Sequence, residues 1–216
     1  MRQFLTLLFL LSTTLVVAQP KIKGGLDNFI KTNLHYPSYS MRNCLEGSIT
    51  IAFKLSKQGR VYQSRVQSGI GTDLDEEALR LIRKSSGQWM MPAGYDTTTV
   101  LVVPVNFKLQ GYDCNQKSKV EKQQAVAAYQ AGEGLTDAIL NFYRNKEAGT
   151  YKKEDESRFL KLKEELGYNK AYMEGKIEDA LRKIKQKDQE GACEDLLFVK
   201  HMGFDLADEL LKKYCP

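Results

Sequence analysis

"EGSITIAFKLSKQGRV", residues 46–61, is the stretch whose reading decides the fold of the first half of the chain. Ile49, Ile51, Phe53 and Leu55 alternate with Ser48, Thr50, Ala52 and Lys54, the period-two pattern of a strand with one buried face. "SKQGR", residues 56–60, is a polar turn with a glycine, and residues 61–68 continue as a second strand, so the spacing predicts a hairpin.

Next comes "GIGTDLDEEALRLI", residues 69–82, with the carboxylates Asp73, Asp75, Glu76 and Glu77 crowded together. Asp73 reads as the N-cap of a helix starting at Leu74, and Glu76 as the residue returning a capping-box bond. Leu74, Ala78, Leu81 and Ile82 then share one face at helical spacing. Acidic residues in a first turn are favoured by the helix dipole, by a few tenths to about 1 kcal/mol each. A calcium loop would need the alternating D-x-D-x-D-G pattern, and a phosphate cradle would need more glycines than Gly69 and Gly71, followed by Lys-Ser/Thr. Capping is therefore the expected role of the cluster, and no metal or cofactor is expected.

The first half closes on "TTTVLVVPVNFKL", residues 97–109, which reads as a strand. Leu101, Val103, Val105, Phe107 and Leu109 occupy one face; Val100, Val102, Pro104, Asn106 and Lys108 occupy the other. Proline has no N–H to give to a ladder, so Pro104 assigns this strand to a sheet edge with the imide side outward. Trp89, between helix and strand, is expected in the core.

Upstream, Met1-Arg2, the apolar run from Phe4 to Val17, and Ala18 have the three parts of a secretory signal peptide, with cleavage expected after Ala18. The run is shorter than the roughly 20 apolar residues of a spanning helix. Nothing later is apolar enough to span, so the expected product is a periplasmic or secreted chain without stable membrane insertion. Without Arg2 the chain carries 31 Lys and Arg against 27 Asp and Glu. Residues 19–115 hold 12 basic and 8 acidic residues and residues 116–216 hold 19 of each, which suits solvated helix faces and not a nucleic-acid footprint.

Export also bears on Cys44, Cys114, Cys193 and Cys215. They include no C-x-x-C pair and lie far in sequence from His35 and His201, which argues against zinc. In an oxidising compartment four cysteines favour two structural bridges over the alternative of a reactive thiol.

Beyond residue 115 the composition turns to Lys, Glu, Ala and Leu with helical spacing, and this half is expected to be all-helical. Gly134, Gly167 and Gly203 recur at intervals of 33 and 36 residues, each followed by a possible N-cap: Thr136, Asn169 and Asp205. That period is close to a tetratricopeptide array, and an irregular bundle is the other reading. In either, Ile139, Phe142, Tyr143, Phe159, Leu162, Leu166, Ile177, Leu181, Ile184, Leu196 and Leu210 are expected core.

"LHYP" (34–37), "EGSITIAFKLSKQGRV" (46–61), "SGIGTDLDEEALRLI" (68–82), "WMMPA" (89–93) and "VPVNFKL" (103–109) resemble, in order and spacing, the C-terminal domain of TonB energy transducers. The resemblance, which covers about residues 24–109, implies a β-β-α-β domain with a three-stranded antiparallel sheet in residues 19–115; with the helical residues 116–216 read from composition, the expected class is α+β. It further implies a peptide-binding edge strand, with Val100, Val102, Pro104, Asn106 and Lys108 at the edge. TonB pairs its last strand with the TonB box of outer-membrane transporters, so the implied partner is a protein or an extended peptide, such as an outer-membrane transporter or another envelope protein. A TonB transducer also has an anchor and a long Pro-rich linker. Here the whole sequence holds five prolines, and the domain starts close to the expected cleavage site, so an exported adaptor is the leading expectation. The alternative is a component of a TonB-type transport system that keeps its N-terminal run as an anchor. An enzyme is not expected, since no nucleophile stands at recognisable spacing from a base.

With the implied topology the first strand is central, so Cys44 before it and Cys114 after the last strand meet at one edge and are expected to pair. Cys193 and Cys215, either side of Gly203, would be brought together by a helical hairpin turning there.

Overall fold

The computed structural model describes residues 19–215; the expected leader, residues 1–18, lies outside them. The first half runs β1 (Lys21–Ile22), α1 (Leu26–Asn33), α2 (Ser38–Arg42), β2 (Gly47–Leu55), β3 (Val61–Ser68), α3 (Asp73–Lys84), β4 (Trp89–Met90) and β5 (Leu101–Phe107). The second runs α4 (Lys119–Glu147), α5 (Glu156–Glu165), α6 (Lys170–Lys185), α7 (Gln189–His201) and α8 (Asp208–Tyr214).

The central strand is β2, which pairs antiparallel with β3 on one side and β5 on the other. Its alternation is expressed directly: Ile49, Ile51, Phe53 and Leu55 are fully buried. Against that face lies the stripe of α3, in which Leu74, Ala78, Leu81 and Ile82 are likewise fully buried. The turn is closed by Ser56 N–H to Arg60 O and Gly59 N–H to Ser56 O, each 2.9 Å. Gly59 has φ 70°, and a side chain there would run into the backbone carbonyl of Trp89. Trp89 is buried against Phe53 with its indole N–H on Ser85 Oγ at 2.8 Å, so it is a core residue.

β5 is shorter than the 97–109 that its composition predicts. Asp96 ends it early by accepting from the N–H and hydroxyl of Thr98, an Asx turn that keeps residues 97–100 out of the ladder. At the other end the N–H of Leu109 donates to Glu46 and not to a strand.

The second half is helical throughout and builds a separate core around Ile139, Met173, Ala180, Ala192, Leu196, Val199 and Met202. Between the two cores runs α4, 29 residues long. Its N-terminal turns rest on the first half, where Tyr39 donates to Ala125 O at 2.6 Å and Tyr129 to Glu76 at 3.0 Å; its C-terminal turns carry Ile139 and Phe142 into the helical core. Only part of the glycine-spaced pattern survives as capping. Asn169 does cap α6, accepting from Tyr172 N–H at 3.0 Å. Thr136 lies inside α4, where its hydroxyl meets Gly132 O and the hydroxyl of Tyr168, and Asp205 makes no capping bond. A helix interior tolerates Gly134 at a cost of about 1 kcal/mol relative to alanine, and the long helix around it outweighs that local signal.

The cysteines are closed as Cys44–Cys114 and Cys193–Cys215, with Cα separations of 5.6 and 5.7 Å. One bridge ties the approach to β2 to the segment after β5; the other ties α7 to the end of α8.

Candidate functional site

The three-stranded sheet has two outer edges, β3 and β5. On β5, Val105 and Phe107 are buried and Leu101 and Val103 half-buried, while Val102, Pro104 and Asn106 are exposed. Val100 and Lys108 are exposed too, immediately outside the strand, so the structure brings the five expected edge positions into one row but only three of them into the ladder. Pro104 stands opposite Thr50, and β2 is the only strand paired with β5 among the described residues. The C-terminal end is held by Tyr36 of the "LHYP" turn. Its ring meets Phe107 edge-on at 5.8 Å and its hydroxyl donates to Leu45 O at 2.5 Å. Burial, then Glu46 and Asp73, push that phenol up to about 12, which keeps it a hydrogen-bond donor.

The other edge is occupied. Between Ala52 opposite Arg65 and Lys54 opposite Tyr62, β3 carries an extra residue, with Gln63 at φ 49°. The bulge turns two consecutive N–H groups outward, and both donate to Glu190 in the first turn of α7; the Ser64 bond is 2.9 Å. The hydroxyl of Ser64 donates to the same carboxylate, and Val61 N–H donates to Ser86 Oγ at 3.1 Å. Arg83, almost fully buried, locks this arrangement. Its Nε donates to Ser64 Oγ at 2.8 Å, and its two terminal nitrogens fork onto Glu194 at 2.6 and 2.7 Å. Burial works against the charge on Arg83, but Glu194, then Asp188 and Glu190, outweigh it and hold the guanidinium above its ordinary value. The helical half thus places a side-chain carboxylate where a fourth strand would otherwise pair.

Each acid of the "DLDEE" run is committed to a structural bond. The N-cap of α3 is Thr72, whose hydroxyl accepts from Leu74 N–H at 3.4 Å, and not Asp73. Asp73 is drawn away to α2, accepting from the hydroxyl and the N–H of Ser40. Asp75 accepts from Ile70 N–H and Gly71 N–H, both at 3.0 Å, and so pins the loop before the helix. Glu76 takes the hydroxyl of Tyr129, and Glu77 takes His35 N–H at 2.8 Å and the guanidinium of Arg80. Glu76 is therefore bonded to α4 and not to its own helix start. His201, the last residue of α7, accepts from Arg144 Nε at 3.2 Å, and burial and then that arginine lower its pKa, which disfavours the imidazolium form. Among the described residues no cluster of three or more His, Cys, Asp or Glu is placed to hold a metal ion.

Arg83, Glu190 and Glu194 were not marked by the sequence pattern. A signal for the acids exists: Glu190 and Glu194 are four apart on one helix face, a like-charge pair that destabilises an isolated helix and calls for a cation from elsewhere.

Residues 32–109 match the family model of the Gram-negative bacterial TonB protein C-terminal. Those residues form a TonB C-terminal-like domain. The match takes in α3, the hairpin and both sheet edges, and ends two residues beyond β5. The TonB C-terminal domain indicates a TonB-like protein-interaction or transport-associated role. It covers under half of the chain, and the helical half follows it. No curated protein and no solved structure matches. None of the described helices is long and apolar enough to cross a membrane.

Proposed function

We propose that the chain is a non-enzymatic interaction module, exported to the periplasm or beyond with residues 1–18 removed after Ala18, which pairs an extended segment of a partner protein with the outer edge of β5. The observation that carries this is the inequality of the two edges: on β3 the N–H groups of Val61, Gln63 and Ser64 are bonded from within the molecule, whereas among the described residues the outer side of β5 has no strand partner. Side chains and backbone groups alternate along an antiparallel strand. With Pro104 outward, Val103, Val105 and Phe107 face β2 through their backbones, and Val102 and Asn106 offer theirs to an added strand, joined by Lys108 past its end. Main-chain pairing of that kind supplies affinity with little demand on side-chain identity. The missing donor of Pro104 weakens the edge by one bond, which also discourages pairing between copies of the chain. The helical half buttresses the β3 edge through Glu190 and Glu194 and is a second protein-docking domain in this reading. The non-enzymatic reading rests on the structural engagement of the acidic run and of His201.

Amide-resolved NMR titration of the protein with TonB-box-like peptides tests the edge. Shifts concentrated in residues 100–108 are expected; saturating peptide that moves only residues 119–214, or none, overturns it. Mass spectrometry of the exported protein checks the leader, with Gln19 expected as the first residue.

A further inference from the structure

Beside the first residues of β5 lies a groove of about 460 Å³, walled by Ile22, Leu26, Trp89, Leu101 and Val103, with Lys21 on its rim. Within residues 32–109 the exposed large apolar residues are Met90, Val100 and Val102. Two of them flank this end of β5, and Met90 follows Trp89 in β4. Of these, Val102 also lines the groove, at the start of the β5 edge. Lys21 is the only ionisable group among the lining residues, and it makes no ion pair among the described residues.

We propose that this groove is the register-setting subsite of the edge: it takes one large aliphatic or aromatic side chain of the pairing segment, with a carboxylate next to it in that segment meeting Lys21. The proposal rests on the reading of β5 as a peptide-binding edge and deepens it. The pleat decides the geometry. In a strand added to β5, the residue opposite Leu101 or Val103 points its side chain to the same face as theirs, toward α1 and Trp89; its neighbours point to the solvent face beside Val102. Leu101 and Val103 belong both to the edge and to the groove wall, so an extended segment that pairs with the backbone delivers every second side chain into the groove or just past it. Register in a strand pair is weakly specified where both faces are polar and strongly specified where one side chain must be buried. The outer face of β5 continues as Pro104, Asn106 and Lys108, which offer no such anchor, so the groove is the feature that fixes where a bound segment starts. A lysine on the rim of an apolar slot adds selectivity for an acidic neighbour through charge complementarity, and it does so in a salt-dependent way.

Trp89 is the only tryptophan of the chain, which makes indole emission a direct report on the groove. A random heptapeptide library is selected on the full-length folded protein, and the recovered peptides are titrated while indole emission and amide shifts are both followed. The expected result is a recovered set sharing a Leu, Ile or Phe at one fixed position with Asp or Glu beside it. Replacing that apolar residue by Ser weakens binding about tenfold or more, and Lys21→Glu reverses the preference for the acid while leaving the fold unchanged by circular dichroism. Amide shifts along residues 101–107 with no change in Trp89 emission, and less than a twofold loss on the Ser replacement, overturn the groove and leave the edge standing. Absence of shifts along β5 with every recovered peptide overturns the edge reading and the groove together. Leu26→Arg, which fills the groove from α1 without touching β5, is expected to reproduce the Ser effect; unaltered affinity in that variant also overturns the proposal.

Discussion

The two edges of the sheet present the same chemical problem, a row of backbone groups without a strand partner, and they treat it differently. At β3 a bulge aims consecutive N–H groups at one carboxylate, Glu190, which a buried arginine holds in place. At β5 the chain sets a proline among otherwise regular strand residues and leaves the outer side to whatever meets it. A closed edge needs a second domain in a fixed position; an edge that is merely weakened needs a single residue. The difference separates a surface used for assembling the molecule from a surface left over after assembly, and it assigns the helical half a definite task in the first domain.

The comparison breaks most severely when its supports are cut. The Cys44–Cys114 bridge closes a 70-residue span behind the β5 edge. Replacing both cysteines by serine is expected to lower stability by about 4 kcal/mol on loop-entropy grounds, checked by urea denaturation. The Cys193–Cys215 bridge closes 22 residues and braces α7 behind the β3 edge; the same double replacement there should cost about 3 kcal/mol. Arg83→Met removes the fork on Glu194 and the bond to Ser64. Because Glu194 is largely exposed and can return to water, the expected loss is nearer to about 2 kcal/mol than to the larger values for fully buried pairs.

Glu190→Ala sharpens the comparison, since it opens β3 without removing any part of the strand. A loss of about 1 kcal/mol is expected, with faster hydrogen exchange at the amides of Gln63 and Ser64 and unchanged exchange along β5. If exchange accelerates equally at both edges, the two are coupled and do not differ as their bonding implies. The smallest effect concerns the far end of the same helix. His201 has its pKa held below the ordinary 6.5, by burial first and then by Arg144, so the unfolded chain binds its proton more readily than the folded one. The stability this confers is fully present above about pH 6.5 and is lost as pH falls through the lower folded value. In His201→Gln that part of the pH dependence should vanish, measured as the difference in unfolding free energy between pH 8 and pH 5.

Local patterns announced the parts of the first domain. Alternation placed Ile49, Ile51, Phe53 and Leu55 inward, helical spacing placed the α3 stripe against them, and Pro104 marked an edge, because each of these follows from backbone periodicity within a few residues. The pattern failed where neighbours distant in sequence compete for the same group. Asp73 is a sound N-cap in isolation, but Ser40, 33 residues earlier, claims it, and Thr72 takes the cap. Thr136 follows a glycine as a cap should, yet α4 runs straight through both because its two ends are anchored on different cores.

From the sequence itself come the strands and helices, the central position of β2 once the family likeness is allowed, and the weakened edge at β5, all properties of short segments and their periods. Only the tertiary structure decided that β3 is closed. A bulge at Gln63, an arginine on α3 and two glutamates more than a hundred residues further along the chain have no common signal in sequence. Their partnership exists because folding brings charge and unpaired backbone within hydrogen-bond reach, and in a partly buried place such groups are costly until they find each other.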